Sequence, residues 1–292
     1  MAASDKPRIA CELTSERVIA ARAADSGAVE AVSARSIPPG SLAPGLGASN
    51  VANAGAVREA VSEALTAVGA RSRDVIVILP DAAIRIVLLD FEELPERRQD
   101  TDPVVRFRLK KSLPFDAEQA ALSYDVRRAN GNVKVIAAVT PPAVLTEYET
   151  LIRDAGYSPG VVLPSMLAAL GAVDAESPTL VLKVDVTTTT VAIVQPEDVL
   201  LYRTLENPHG NRLDAAALAD DIYPSLVFFQ DNYGMKVDRI LLGGLASARE
   251  IGPALESQTG ARVADLISAS QVGAQGNLAP TLFAGVVGAL LG

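Results

Sequence analysis

Asp185 closes an apolar run in the stretch VLKVDVTTTTVAIV (181–194), which reads as strand, turn, strand. A carboxylate at a strand end, followed by small polar residues, suits phosphate. The turn's N–H groups reach phosphate oxygens, hydroxyls add donors, and the carboxylate orders a hydrated Mg²⁺. Such a turn ordinarily carries glycine, whose missing Cβ lets a phosphate approach. Here Thr187, Thr188, Thr189 and Thr190 follow instead. Their β-branching favours extended backbone and resists a positive φ. The run therefore has two readings, β-formers alternating in and out of a tight hairpin or a retained phosphate or ion contact. Asp185 itself is either that contact or a turn-capping carboxylate. A second constellation is Gly243–Gly244, after RILL and before Leu245, Ala246 and Ser247. It is either a close strand–helix turn or a slot where a flat ligand nears the backbone.

Other chemistries are excluded by composition. Cys11 is the only cysteine among 292 residues, so no internal disulfide or thiolate zinc cluster forms. With no histidine beside it, Cys11 reads as a small buried core residue. His209 is the only histidine, in the turn ENPHG with no nucleophile elbow nearby, which removes Ser–His–Asp chemistry and histidine metal sites. A net charge of −9 argues against nucleic acid as partner. Residues 1–8, MAASDKPR, are short and polar, without the look of a signal peptide. No run reaches the roughly 18 apolar residues of a membrane span. LAPTLFAGVVGALLG (278–292) reads as a helix buried against a sheet, with a membrane-surface anchor as the lesser reading.

These residues need elements to hold them. RIACEL and ERVIAARAA predict a hairpin through Thr14 and Ser15, with AVEAVSARSIPP as a third strand. Residues 39–55 are a Pro/Gly/Asn loop. Val57, Val61, Leu65 and Val68 fall at helical spacing, and Gly69 ends that helix. RDVIVILP, unbroken in its apolar run, predicts a buried central strand, and Asp81 at its end faces a cleft without a paired acid. Residues 84–158 predict a compact α+β module: a strand, a helix carrying the basic run RFRLKK (106–111), a packed turn at Leu113–Pro114–Phe115, a hairpin through Asn130–Gly131–Asn132, and a helix ended by Gly156. The basic run is either a solvated face or a dock for an acidic partner or anionic lipid. A second unit follows from residue 178: strands PTLVLKVDV, TVAIVQ and VLLYRTLE, with a turn at Gln195–Pro196–Glu197–Asp198, then a long helix through Pro224. Phe228, Phe229 and Tyr233 on that helix read as core packing. The opening hairpins, RIACELTSERVIAARA and LVLKVDVTTTTVAIVQ, echo each other and suggest a duplication.

In this order the segments resemble the type IV pilus assembly protein PilM family, of the actin-like ATPase superfamily and close to the division protein FtsA. The resemblance rests on the two hairpins, on KKSLPFDAEQAALSYDV (110–126), on LTEYETLIRDAGYSPGVVLPSMLAALGA (145–172) and on FFQDNYGMKVDRILLGGLAS (228–247). It implies an α/β fold, actin-like (ribonuclease H-like), with a duplicated core and an α+β module inserted in the first lobe. The expected units are 1–83 with 159–177, the module 84–158, and a trimmed second lobe, 178–292. It also implies a cytoplasmic adaptor, peripheral at the inner membrane through its partners. Those are the N-terminal cytoplasmic peptide of a PilN-like protein, bound in a groove formed with the module, and other pilus assembly proteins, with homo-oligomers open.

The family's nucleotide residues carry over only in part. Thr14 and Ser15 match the polar residues of the first phosphate turn, whose acid and glycine positions fall on Cys11 and Leu13. Glu12 is one place off and points to the other face of the strand. In the second turn Asp185 matches the acid, Thr187 the glycine, and Thr188 and Thr189 the small residues. Gly243, Gly244 and Leu245 match the adenosine-facing turn. The resemblance thus implies a degraded site, with ATP and magnesium the only cofactors in question and none expected, no metal ligands, no catalytic residues and at most weak ATPase activity. The alternative is an ATPase whose nucleotide state gates partner binding.

Overall fold

The structure, a computed structural model, describes residues 6–47, 49–129, 132–196, 198–272 and 278–292. The chain opens with β1 (Ile9–Leu13), β2 (Arg17–Ala23), β3 (Val29–Ser36), α1 (Ala54–Ala67) and β4 (Asp74–Leu79). Next come β5 (Arg85–Phe91), α2 (Arg98–Leu109), β6 (Ala121–Ala129) and β7 (Asn132–Thr140), then α3 (Pro142–Asp154), β8 (Ser158–Pro164) and α4 (Ser165–Leu170). The second half runs β9 (Thr179–Val184), β10 (Thr188–Gln195), β11 (Asp198–Glu206), α5 (Ala215–Tyr233), β12 (Arg239–Gly244), α6 (Ala248–Thr259), β13 (Arg262–Asp265), α7 (Ala269–Val272) and α8 (Ala284–Leu291).

The strands make two five-stranded sheets with one topology, β3-β2-β1-β4-β8 and β11-β10-β9-β12-β13, and a three-stranded sheet, β5-β7-β6. In each large sheet a hairpin and a third antiparallel strand feed two parallel strands. The unbroken apolar run of β4 and the apolar residues of β9 are fully buried on both faces, as central strands require. On the outer face of the first sheet, α1 buries Val57, Val61 and Leu65, the residues its periodicity singles out, and stops just before Gly69. The second sheet has its own outer core, built with Leu218, Ile222 and Phe229 of α5 and Ile251 and Leu255 of α6. Residues 207–214 alone join β11 to α5.

Two packing facts differ from the expected division, and a third from the expected core. Helix α3 falls within the range 84–158, yet its Val144, Tyr148, Leu151 and Ile152 pack in the first lobe's core beside α1. The three-stranded unit thus ends at Thr140, closed by α2 through Val105 and Leu109. Second, α8 does not stay with the second lobe: it lies on β1, β2 and β4 and against α4. A Cβ on Gly288 would overlap the Ala168 carbonyl, which is why glycines stand at this crossing. A core of Ala10, Ile76 and Met166 from one lobe and Val181, Ala192 and Leu241 from the other closes around Phe283 and Val286. Third, Phe229 is buried but Phe228 on the same helix is 53% exposed, so only part of that aromatic group is core.

Two predicted reversals fall partly outside the described residues: Asn130 and Gly131 of the module hairpin, and Glu197 of the β10–β11 turn. The strands on either side pair as antiparallel neighbours. Among the described residues no helix is long and apolar enough to cross a membrane.

Candidate functional site: the cleft between the lobes

The two hairpin turns end side by side at the cleft. Leu13 pairs with Val18 and Val184 with Thr189, and the Thr14 N–H donates to Arg17 O (2.9 Å) as the Asp185 N–H donates to Thr188 O (2.8 Å). Thr14 therefore holds the place of Asp185, which corrects the assignment of the acid position to Cys11. Cys11 sits three residues earlier, within β1, fully buried and paired with Ala20. Burial, with the charge of Glu12 beside it, pushes its thiol up to about 12, so it is not a nucleophile.

In each turn a side-chain oxygen accepts from amides of its own loop. Thr14 Oγ1 accepts from the N–H groups of Arg17 (3.0 Å) and Glu16 (3.4 Å). Asp185 Oδ1 accepts from Val186 N–H (2.6 Å). Asn207, at the end of β11, donates its Nδ2 to Asp185 O (2.7 Å) and its N–H to Thr187 O (2.9 Å). No residue of either turn takes a positive φ, which is the backbone that threonine accepts and an anion-binding nest does not. Burial lifts the Asp185 carboxyl above its usual range, partly offset by the Lys183 ammonium and the Val186 N–H.

Between the turns lies a cavity of about 20 Å³, lined by Thr14, Glu16, Lys183, Asp185, Gly244 and Leu245 among others. The structure thus brings together Thr14, Asp185, Gly244 and Leu245. Ser15 is buried with its hydroxyl unpartnered. Thr189 is buried in β10, while Thr187 and Thr188 face a separate open cleft of about 600 Å³ beside Asp81, Arg85 and Asn207. Gly243 packs against Ala284 of α8. Gly244 has φ +73°, and a Cβ there would overlap Val184 O, which already accepts from Leu245 N–H (2.8 Å). Its lack of a side chain is thus explained by the approach of β12 to β9.

The residues not foreseen are Lys183 and its partner. Lys183 Nζ meets Glu12 Oε1 at 3.0 Å, and Ser165 Oγ donates to the same oxygen at 2.5 Å. Burial alone would lower the Lys183 pKa, but the charges of Glu12, Asp185 and Asp81 outweigh it and hold the ammonium protonated. A signal was present in the sequence: a charged residue two places before each turn, inside largely apolar strands. Asp81 is also more engaged than expected. It accepts from Met166 N–H (2.9 Å) and Tyr202 OH (3.2 Å), so it joins the lobes. Outside, Asn211 Nδ2 donates to the Glu16 carboxylate (3.0 Å). His209 lies exposed on that same segment, its N–H bonded to Asn207 Oδ1 (3.1 Å). Among the described residues, no group of three or more His, Cys, Asp or Glu could hold a metal ion.

A groove of about 250 Å³ separates the module from the second lobe, with Leu88, Lys134 and Ile136 on one wall and Val194, Val199 and Tyr233 on the other. Lys134 Nζ bridges it to Asp198 Oδ2 at 2.6 Å. On the module's other side the run RFRLKK is not simply a solvated basic face. Arg106 binds Asp102 (2.7 Å) and the carbonyls of Ala117 (2.5 Å) and Ala120 (3.0 Å), Lys110 pairs with Glu118 (2.8 Å), and Arg108 lies over Phe91. Phe107 stands out 68% exposed.

Two lobes of identical topology, joined by crossing helices with a cleft at the hairpin turns, define the actin-like fold. Solved structures agree. The chain is similar to the structure described as the PilM–PilN type IV pilus biogenesis complex, at 19% identity, covering 98% of each chain, with a TM-score of 0.80. It is also similar to the cytoplasmic domain of EpsL, an inner-membrane component of the type II secretion system of Vibrio cholerae (12% identity, 80% of each chain, TM-score 0.51). A Bacteroides thetaiotaomicron protein of actin-like ATPase fold and unknown function matches at 11% identity, over 90% of this chain and 91% of that one, with a TM-score of 0.50. No protein-family model and no curated protein sequence matches the chain.

Proposed function

We propose that this chain is an adaptor of a type IV pilus or related secretion machine, which docks the short cytoplasmic tail of a PilN-like inner-membrane protein and binds no nucleotide. The observation that carries this reading is the correspondence with the PilM–PilN structure over 98% of both chains. It sits at the inner membrane through that partner and other pilus proteins. The proposed dock is the groove between the module and the second lobe, whose apolar walls and charged rim at Asp90, Asp125, Arg127 and Lys134 suit a short amphipathic peptide.

The cleft supports the nucleotide-free half. Small-molecule sites occupy roughly 300–1,000 Å³, against about 20 Å³ between these turns. The amides of Glu16 and Arg17 already bond Thr14, and that of Val186 bonds Asp185. On these grounds we read the space between the turns as a structural joint and not as a site for ATP with Mg²⁺.

A peptide of the PilN-like tail from the same genome, titrated into the chain, is expected to bind. Leu88→Glu, which puts a carboxylate against the groove's apolar wall, should weaken it about tenfold or more without unfolding the protein. No binding to the folded wild type would remove the adaptor reading. Full affinity in the Leu88→Glu variant would remove this groove.

A further inference from the structure

Glu12 and Lys183 stand at equivalent places, each two residues before the turn of its hairpin. They carry opposite charges and meet across the lobes, 1% and 5% exposed. Ser165, the first residue of α4, holds the shared oxygen, and the other carboxylate oxygen lies where a Cβ on Gly285 of α8 would overlap it. Four segments therefore converge on one carboxylate: β1, β9, α4 and α8. A second polar bridge, Asp81 to Tyr202, lies in the same cleft, and the apolar α4–α8 crossing adjoins both.

Burying this pair is not the cheapest way to fill the space. Apolar residues of similar volume often replace a buried ion pair at no loss of stability, so what this pair adds is geometry: Glu12 Oε1 takes both Lys183 and Ser165, while Oε2 is buried without a hydrogen-bond partner. Sliding or opening the lobes here would strand an ammonium and a carboxylate out of water. We propose that Glu12, Lys183 and Ser165 form a built-in clamp that fixes the angle between the lobes with nothing bound between them, so that the cleft is a closed joint and not a hinge. The clamp stands on this geometry alone and holds whatever partner the protein docks.

Native-state hydrogen exchange tests it on the wild type, Glu12→Gln, Lys183→Met and the double variant. In the wild type, α4 and α8 should exchange as slowly as the centres of β1 and β9. Each single variant should speed α4 and α8 by about tenfold or more relative to those strands. The double variant, with no charge left unpaired, should regain the melting temperature lost by the singles yet keep the fast exchange in α4 and α8. Wild-type exchange in the double variant would overturn the clamp, since the pair would then do no more than neutralise itself. A wild type whose α4 and α8 open well before the sheets would overturn it equally, and that comparison decides if the variants do not fold.

Discussion

Thr14 and Asp185 hold the same place in two hairpins, and each uses its oxygen to close its own turn. Which residue holds that place was not legible in the sequence. A strand's register is set by ladder hydrogen bonds, and a shift changes every facing residue. The Thr run, by contrast, was legible as hairpin former, because β-branched residues favour strands and avoid the positive φ that these turns do without. Asp81 yields a prediction at this scale. Burial raises its carboxyl above 3.8, against the pull of Lys183 and the Met166 N–H. The folded chain thus holds this proton more tightly than the unfolded one. Stability is lost as pH rises from about 3.8 through the folded value. Asp81→Asn retains an oxygen for Met166 and Tyr202, so it should flatten the stability curve above that pH in urea unfolding at stepped pH. A variant curve as steep as the wild type's would contradict this.

Periodicity made most elements readable. The apolar spacing of α1 and the unbroken run of β4 each predicted a buried face that the packing fills. What it could not convey is which neighbour fills it. Helix α3 has an ordinary amphipathic face and meets the first lobe, while α8, apolar on all sides, serves both lobes. The basic helix α2 carries a similar lesson, since charge alone does not distinguish a solvated arginine from one that ties a loop. Arg106, 18% exposed at its side chain, bonds carbonyls in the segment leading to β6. Arg106→Met should therefore cost about 2–3 kcal/mol in denaturant unfolding, and amides of residues 117–121 should exchange faster. An unchanged unfolding midpoint would mean that these bonds are replaced by water without loss.

The duplication governs the whole molecule. One topology used twice places two turns face to face, and the sequence showed it only in the opening hairpins, RIACELTSERVIAARA and LVLKVDVTTTTVAIVQ. The closure of the cleft was not visible there, because it depends on Glu12 and Lys183, 171 residues apart, reaching the same point. Under the proposed reading this closure is what would set the chain apart from a nucleotide-driven switch: the lobes share an ion pair, and only about 20 Å³ is left between the two turns. The most direct measurement is titration calorimetry of the purified chain with ATP and Mg²⁺. A flat titration at millimolar nucleotide is the predicted result, and saturable binding in the micromolar range would contradict the account.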